Sequence, residues 1–475
     1  MKTFPLYLNG EFVQTEESVE VTNPAEGEPF ARMSRVPRSR VAQAIEDSQK
    51  AFPVWRALPA KTRGEYLQSI ADGMQRRRDE IARTITLENG KPLAQSAAEA
   101  ALAIDHLRWF AEEARRAYGR AVPNSVEGKR HLVIKTPLGV VGAISPWNFP
   151  LMLAARKVAP ALAAGCVVVL KPASQTPICC AILAECVHAA GLPKGVFQLV
   201  LGKSSEIGAE FLENSLCRKI SFTGSTSVGQ LLIQGAARQV KPLSLELGGH
   251  APALIFEDAD FDKAVEGVMA AKFRNTGQSC IAANRIYVER PIYQKFLEAF
   301  AARVKAMKIG NGLDPDVAIG PLIDSKAVEK AEQHVADATR RGARLLCGGQ
   351  RMKDRKGFFF SPAVLADTPD DAVCSCEETF APIAPISAFD TEEEAITRAN
   401  RSDYGLSAYA FTRDLSRAFR LMESLNAGVI GLNDGVPTAT QAPFGGMKMS
   451  GWDRELGCEG MEAFLDTKHV SLGVA

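Results

Sequence analysis

From residue 140 onward the chain alternates short apolar runs with polar loops and helical segments, and this rhythm restricts the fold more than any other feature. Runs at 140–144, 166–170, 196–201, 219–222 and 243–246 are apolar and short enough to be buried strands. Strands that alternate with helices need crossover connections, hence a parallel sheet with helices on both faces. Ligands of such sheets bind beyond the carboxyl ends of the strands. The loops at Asn148, Lys171, Gly224 and Glu246 all fall at such ends. A second αβ series follows Gly248-Gly249 and runs to about Gly446, with helices expected at 292–307 and 325–341 and strands at 286–288, 344–347 and 408–411.

Ahead of this lies a stretch of short strands over 5–36, with Asn9-Gly10 as a hairpin turn. Helical spacing dominates from Arg38 to Tyr118, interrupted at Gly90-Lys91-Pro92. The basic run Arg76-Arg77-Arg78 reads as a solvated helix face. The last segment, 461–474, has too little apolar content for a core of its own and reads as a strand completing another sheet, a partner subunit's included.

At 475 residues the chain exceeds one compact core and divides into two or three domains. A net charge of +1 gives no electrostatic footprint for nucleic acid or an anionic membrane. The most apolar run, 159–170, is broken by Pro160 and Gly165 and is too short to span a bilayer. The ten cysteines form no CxxC motif and the six histidines no zinc pattern, so no metal is expected and a reducing cytoplasm is the plain reading.

No GxGxxG opens a helix, the phosphate-loop pattern ending at Gly202-Lys203-Ser204 lacks its upstream glycine, and no GxSxG elbow is present. What remains is a set of loops. Pro146-Trp147-Asn148-Phe149-Pro150 sets an amide in a proline-bracketed turn. Lys171-Pro172-Ala173-Ser174 places a cation and a hydroxyl past a strand end. Phe222-Thr223-Gly224-Ser225 leads into a helix whose free N–H groups suit a phosphate. Leu245-Glu246-Leu247-Gly248-Gly249 carries a carboxylate where a strand gives way to glycine, and Glu377-Glu378-Thr379-Phe380 is an acidic turn. Finally, Phe273-Arg274-Asn275-Thr276-Gly277-Gln278-Ser279-Cys280 ends a polar loop in a thiol, where a packing cysteine would sit in an apolar run. Singly, each is more simply a turn, a cap or an ion pair; together, in this order, they are not a chance set.

On these segments, with PFGGMKMSG at 443–451, the chain resembles the aldehyde dehydrogenase superfamily over essentially its whole length, and the succinate-semialdehyde dehydrogenases within it. The resemblance implies an α/β fold with a Rossmann-type cofactor domain (1–117 and 138–248), a catalytic domain (249–446) and a small β oligomerisation element (118–137 and 447–475). It makes Cys280 the nucleophile, Glu246 the base, and Asn148 with the Cys280 N–H the oxyanion site. Trp147, Asn148, Lys171, Pro172, Ala173, Ser174, Gly224, Ser225, Leu247, Glu378 and Phe380 would contact the cofactor. A hydroxyl at Ser174 does not repel a 2′-phosphate and Lys171 attracts one, which points to NADP, with NAD possible.

The same likeness gives Arg156, Arg274 and Thr438 as the grip on an anionic substrate, although Arg156, followed by Lys157, also suits an internal ion pair. Thr438 stands where serine is usual, the 435–441 loop departs from the semialdehyde pattern, Ala381 replaces a common glycine, Trp452-Asp453 interrupts a glycine-rich run, and Ala282 removes the second cysteine of a redox pair. The expected reaction is oxidation of succinate semialdehyde by a homodimer or homotetramer. The alternatives are glutarate semialdehyde, 2-oxoglutarate semialdehyde or 3-sulfolactaldehyde as substrate and, in a different class, a thiol esterase or a non-catalytic binding protein.

Overall fold

The apolar runs that alternate with helices are buried on both faces: every residue of Val167–Lys171 is buried, and Val140–Ile144 is buried except at its last residue. Continuous burial of this kind marks parallel strands covered by helices on each side. The computed structural model, which describes residues 1–474, arranges the strands in one eight-stranded sheet, one seven-stranded sheet and three smaller sheets.

The eight-stranded sheet runs in the order Gly451–Trp452, Leu243–Glu246, Cys217–Thr223, Val140–Ile144, Val167–Lys171, Phe197–Leu199, Leu6–Leu8, Glu11–Val13. Its five central strands are parallel, and the Asn9-Gly10 turn joins the hairpin at one edge. From Val140–Ile144 the chain steps outward in one direction through the next two strands, then returns to the other side for Cys217–Thr223. The reversal opens a crevice between those two neighbours, at their carboxyl ends, where ligands of doubly wound sheets sit.

The helices Arg38–Ala57, Ala60–Arg76, Arg78–Asn89 and Leu93–Glu113 supply the expected helical stretch, broken at Gly90. In the Arg76–Arg78 run, Arg76 and Arg78 are exposed at the end of one helix and the start of the next, as a solvated surface should be, and only Arg77 departs from it. Arg77 closes one helix and precedes the next, and its guanidinium binds Glu80 and Glu185. Two carboxylates from this layer cap helices of the sheet: Glu88 accepts the N–H groups of Ile178 and Cys179 at 2.7 and 3.1 Å, and Glu99 those of Leu151 and Met152 at 3.1 and 3.3 Å. Each satisfies donors that a helix N-terminus otherwise leaves open.

The seven-stranded sheet has the order Arg344–Cys347, Ala363–Ala366, Ile383–Phe389, Ala283–Glu289, Ala251–Ile255, Ser407–Phe411, Val429–Leu432, all parallel but the first. Its core is separate from that of the first sheet. Phe444, Leu456, Met461 and Phe464 belong to the first core, and Gly451–Trp452 pairs with Leu243–Glu246, so the chain returns to the first sheet after the second is complete.

The C-terminal strand Leu465–Gly473 pairs antiparallel with Lys129–Pro137 of its own chain, which pairs with Arg120–Val122. Strand alternation puts Leu132, Ile134 and Leu472 on one face of this small sheet, where they remain 39–43% exposed.

Candidate active site

Cys280 is delivered by a backbone that only a densely bonded loop can hold. Asn275, Thr276 and Gly277 have φ of 50°, 56° and 73°, three successive left-handed residues of which two carry side chains. Asn275 secures the turn: its N–H donates to Gln95 Oε1 at 2.8 Å and its Nδ2 to the Asn148 carbonyl at 2.8 Å. Thr276 Oγ1 accepts the Gly320 N–H at 3.1 Å. The loop before Ala283–Glu289 and the one before Ala251–Ile255 lie side by side, because those strands are parallel neighbours. A Cβ on Gly249 would fall 2.1 Å from the Cys280 carbonyl oxygen, so only glycine permits this approach. The thiol thus stands at the amino ends of the second sheet, facing the carboxyl ends of the first.

A cleft with about 330 Å³ of free volume joins them. Its walls include Trp147 and Asn148 after Val140–Ile144, Gly224 and Ser225 after Cys217–Thr223, Leu247 after Leu243–Glu246, then Glu378, Phe380 and Cys280. Phe380, itself left-handed at φ 51°, meets the Trp147 ring edge-on at 5.4 Å. The Gly224 N–H donates to the Glu246 carbonyl at 3.0 Å, tying two of these strand-end loops together.

Asn148 is held from both ends. Lys91 Nζ donates to its carbonyl at 2.6 Å while pairing with Glu99 at 2.5 Å, and its own Nδ2 donates to the Gln278 carbonyl at 3.2 Å. An amide nitrogen has two hydrogens, so one N–H stays free for a ligand.

Glu246 is buried and its Oε2 has no partner among the described residues. Burial first, then the charge of Glu455, drives its carboxyl far above the usual range, against the pull of Lys157, Arg156 and Arg454. Lys157 takes up Glu455 at 2.6 Å and Thr223 at 2.7 Å. The Cys280 thiol is likewise pushed up, to about 12, by burial and by Glu378 and Glu246, with Arg156 pulling the other way.

The two arginines differ. Arg156 lies 4.0 Å from Glu455, over the Phe444 ring, and near Met152 Sδ, with its Nε unpartnered. Arg274 stacks over Phe149 at 5.0 Å, and its guanidinium makes no hydrogen bond or ion pair among the described residues. Phe149, Met152 and Leu153 form one buried apolar patch, and Leu153 also lines the cleft. Both guanidinium groups therefore border the apolar wall beside the thiol. Thr438 sits half-buried on the 435–441 loop, where it is the neighbouring Thr440 that is engaged, donating to Asp105.

Lys171, Pro172, Ala173 and Ser174 stand beyond the cleft lining, at the end of Val167–Lys171. Lys171 Nζ has a single acceptor among the described residues, the Pro172 carbonyl at 3.2 Å, and burial lowers it to about 8.

Several residues of the site carried no signal in the sequence. Lys330 and Ala327, one helical turn apart, line the cleft with Ile323 and Asp324, and Lys330 donates to the Glu378 carbonyl at 2.6 Å. A lysine on an amphipathic helix reads as solvated. The Lys157–Glu455 pair behind Glu246 joins residues 298 apart in sequence.

A nicotinamide dinucleotide fits these groups. Glu378 Oε1 accepts the Gly249 N–H at 3.0 Å, and its Oε2 faces Gly248, where a Cβ would stand only 3.1 Å away. The helix Thr226–Ala236 has neither a side-chain cap nor an acid in its first turn, which leaves its N-terminus open to phosphate.

The sequence matches the family model described as the Aldehyde dehydrogenase family over residues 12–470. It is 47% identical over 469 residues to the succinate-semialdehyde dehydrogenase [NADP(+)] of Escherichia coli, covering 98% of this chain and 97% of that protein. It is also 47% identical to the glutarate-semialdehyde dehydrogenase of Pseudomonas putida over 470 residues, again covering 98% and 97%. The crystal structure of an NADP-dependent enzyme of Escherichia coli superposes with a TM-score of 0.98 at 46% identity, over 99% of this chain and 98% of the other.

Proposed function

The chain belongs to the aldehyde dehydrogenase family, and from that premise we propose that it oxidises a short aldehyde bearing a far anionic group, succinate semialdehyde first, using NADP. The observation that carries the reading is the Arg274 guanidinium, half-buried beside the nucleophile loop with no hydrogen-bond or ion-pair partner among the described residues. A desolvated guanidinium without a counter-ion is costly, and a substrate carboxylate would supply one. Similarity to both a succinate- and a glutarate-semialdehyde dehydrogenase at 47% supports the anionic class without choosing a chain length. A sulfonate satisfies the same donors, so 3-sulfolactaldehyde is the second reading.

In this reading Cys280 Sγ attacks the carbonyl carbon, and its proton passes to a carboxylate base. Glu246, whose raised proton affinity makes it a stronger base than a surface carboxylate, suits that task. The carbonyl oxygen takes up the electron pair and is met by the free Asn148 N–H and the Cys280 N–H. The bound nicotinamide supplies the hydride acceptor. The acyl group is left on Cys280 as a thioester. Glu246, once it has passed the thiol's proton to solvent, removes a proton from water as that water attacks the thioester, and the carbon–sulfur bond breaks to release the acid and the thiolate. Trp147 and Phe380 would confine the nicotinamide, Glu378 its ribose, and Gly224, Ser225 and Leu247 the pyrophosphate region. Lys171 with Ser174 would receive the 2′-phosphate, with Pro172 and Ala173 shaping that turn. Arg156 would share the substrate's anion with Arg274, and Thr438 would close the pocket.

The domain division at 1–117 with 138–248, 249–446, and 118–137 with 447–475 is supported by the separate cores and by the small sheet that unites the third group's outer strands. We assign the exposed Leu132, Ile134 and Leu472 to contact with a second copy, giving a dimer or tetramer that light scattering would detect. Ten free thiols suit a reducing cytoplasm, and among the described residues no helix is long and apolar enough to cross a membrane.

The test is NAD(P)H production from succinate semialdehyde, glutarate semialdehyde, 3-sulfolactaldehyde and butanal with each cofactor. A preference in kcat/KM of about 100-fold for an anionic aldehyde over butanal is expected from a buried charge pair. Equal or better use of butanal would overturn the anion-binding reading.

A further inference from the structure

One buried amine near the site has no part in the chemistry above. Lys272 is fully buried, and among the described residues no carboxylate pairs with it. Leaving an ammonium inside a protein without a counter-ion is costly enough to need a reason. Its Nζ donates to Asn284 Oδ1 at 2.6 Å and to Thr379 Oγ1 at 3.3 Å, and the Thr379 hydroxyl donates to the same Asn284 oxygen at 2.7 Å. Asn284 and Thr379 are also buried, so this closed triangle excludes water.

Its three corners come from three places that matter. Lys272 is the penultimate residue of the helix Phe261–Phe273, immediately before Arg274 and the left-handed turn. Asn284 is the second residue of Ala283–Glu289, just past Cys280. Thr379 lies between Glu378 and Phe380, in a turn whose other anchors are Lys330 on the Glu378 carbonyl and Gly249 on its carboxylate. Phe380 is left-handed at φ 51°, a conformation that persists only where its surroundings impose it.

We propose that Lys272 is a positioning residue that locks the Glu378–Phe380 turn to the two segments flanking Cys280, setting cofactor affinity through the Thr379 hydroxyl. The proposal rests on Glu378 and Phe380 being cofactor contacts. Burial lowers Lys272 to about 7, with the charges of Cys374 and Glu378 opposing that shift. The amine donates in either protonation state, so the triangle does not depend on its charge.

The test compares Lys272→Met, Thr379→Val, their double variant and Thr379→Ser, with NADPH affinity read by fluorescence titration. Lys272→Met and Thr379→Val should each weaken NADPH by about tenfold, the cost of a buried hydroxyl or amide left unpaired. The double variant should be no worse than either single, because both break one triangle. Thr379→Ser, which keeps the hydroxyl, should stay within about twofold. Alkylation of Cys280 by iodoacetamide without cofactor should be unchanged. NADPH affinity held within about twofold in Lys272→Met, additive losses in the double variant, or equal damage to alkylation would each overturn the proposal. Where Lys272→Met does not fold, the contrast between Thr379→Val and Thr379→Ser decides. Glu378→Gln separates the two levels: if it also leaves NADPH affinity intact, the cofactor assignment fails; if it alone weakens NADPH, only the role of Lys272 fails.

Discussion

Replacing Arg274 with methionine isolates the substrate's charge from the rest of the pocket. Methionine keeps an unbranched apolar stem against Phe149, which the guanidinium covers at 5.0 Å, while removing all five donors. Truncating one partner of a buried charge pair costs about 2–5 kcal/mol. Arg274 is not fully enclosed, so the lower middle of that range, about 3 kcal/mol, is appropriate. That is about a 150-fold loss in kcat/KM for succinate semialdehyde. Butanal, which has no anion, should change by less than about threefold. The free enzyme should not lose stability, because the change deletes a charge that no protein group compensates. The assay is initial NADPH formation for both substrates together with a thermal melt of the unliganded protein. Equal losses on both aldehydes, or a marked fall in melting temperature, would show that Arg274 supports the loop and not the substrate.

Glu246→Gln removes both the acceptor of the Cys280 proton and the base that activates water, so NADPH formation should fall about 100- to 1000-fold in the first turnover as well as in the steady state, and a full first-turnover burst at the parent rate would remove Glu246 from thiol activation. The Cys280 thiol, raised to about 12, is protonated across the neutral range and ionises only as pH rises. Its alkylation by iodoacetamide should therefore accelerate by about tenfold per pH unit from pH 7 to 9, and a plateau below pH 8 would contradict that environment. Lys91→Met should destabilise the fold by about 3–5 kcal/mol, because it strands the buried Glu99 charge. Glu99→Gln in the same chain should recover part of that loss, and a lone Lys91→Met with unchanged thermal inactivation would show the pair to be dispensable.

Much of the architecture was legible because its causes are local. Strand-length runs of Val, Ile and Leu separated by helical spacing prescribe a parallel αβ sheet, and the strand Leu243–Glu246 begins and ends where the pattern does. The strand expected at 166–170 is Val167–Lys171, a shift of one residue that places Lys171 inside the strand end. Loop motifs at strand ends became site residues because the carboxyl edge of a doubly wound sheet gathers such loops in one crevice. Asn148, Gly224 and Leu247 were readable in this way, whereas Glu378 and Cys280, on loops of the second sheet, were legible through the motif resemblance.

Tertiary structure alone decided which charges are free and which are spoken for. The sequence marked Arg156, followed by Lys157, as suited to an internal ion pair, but not its partner: of the two arginines, among the described residues, only Arg156 has a carboxylate, Glu455, within reach, and that residue arrives from 299 positions later in the chain. The same holds for Lys157 behind Glu246, for Lys330 on the Glu378 turn, and for the triangle of Lys272, Asn284 and Thr379. Within the Arg76–Arg78 run only Arg77 departs from the solvated reading for this reason, since Glu185, which binds it, lies on a helix remote in sequence. Periodicity and turn chemistry report what a segment does with its neighbours in sequence. The partner of a buried charge is set by how remote segments pack, and no local pattern encodes it.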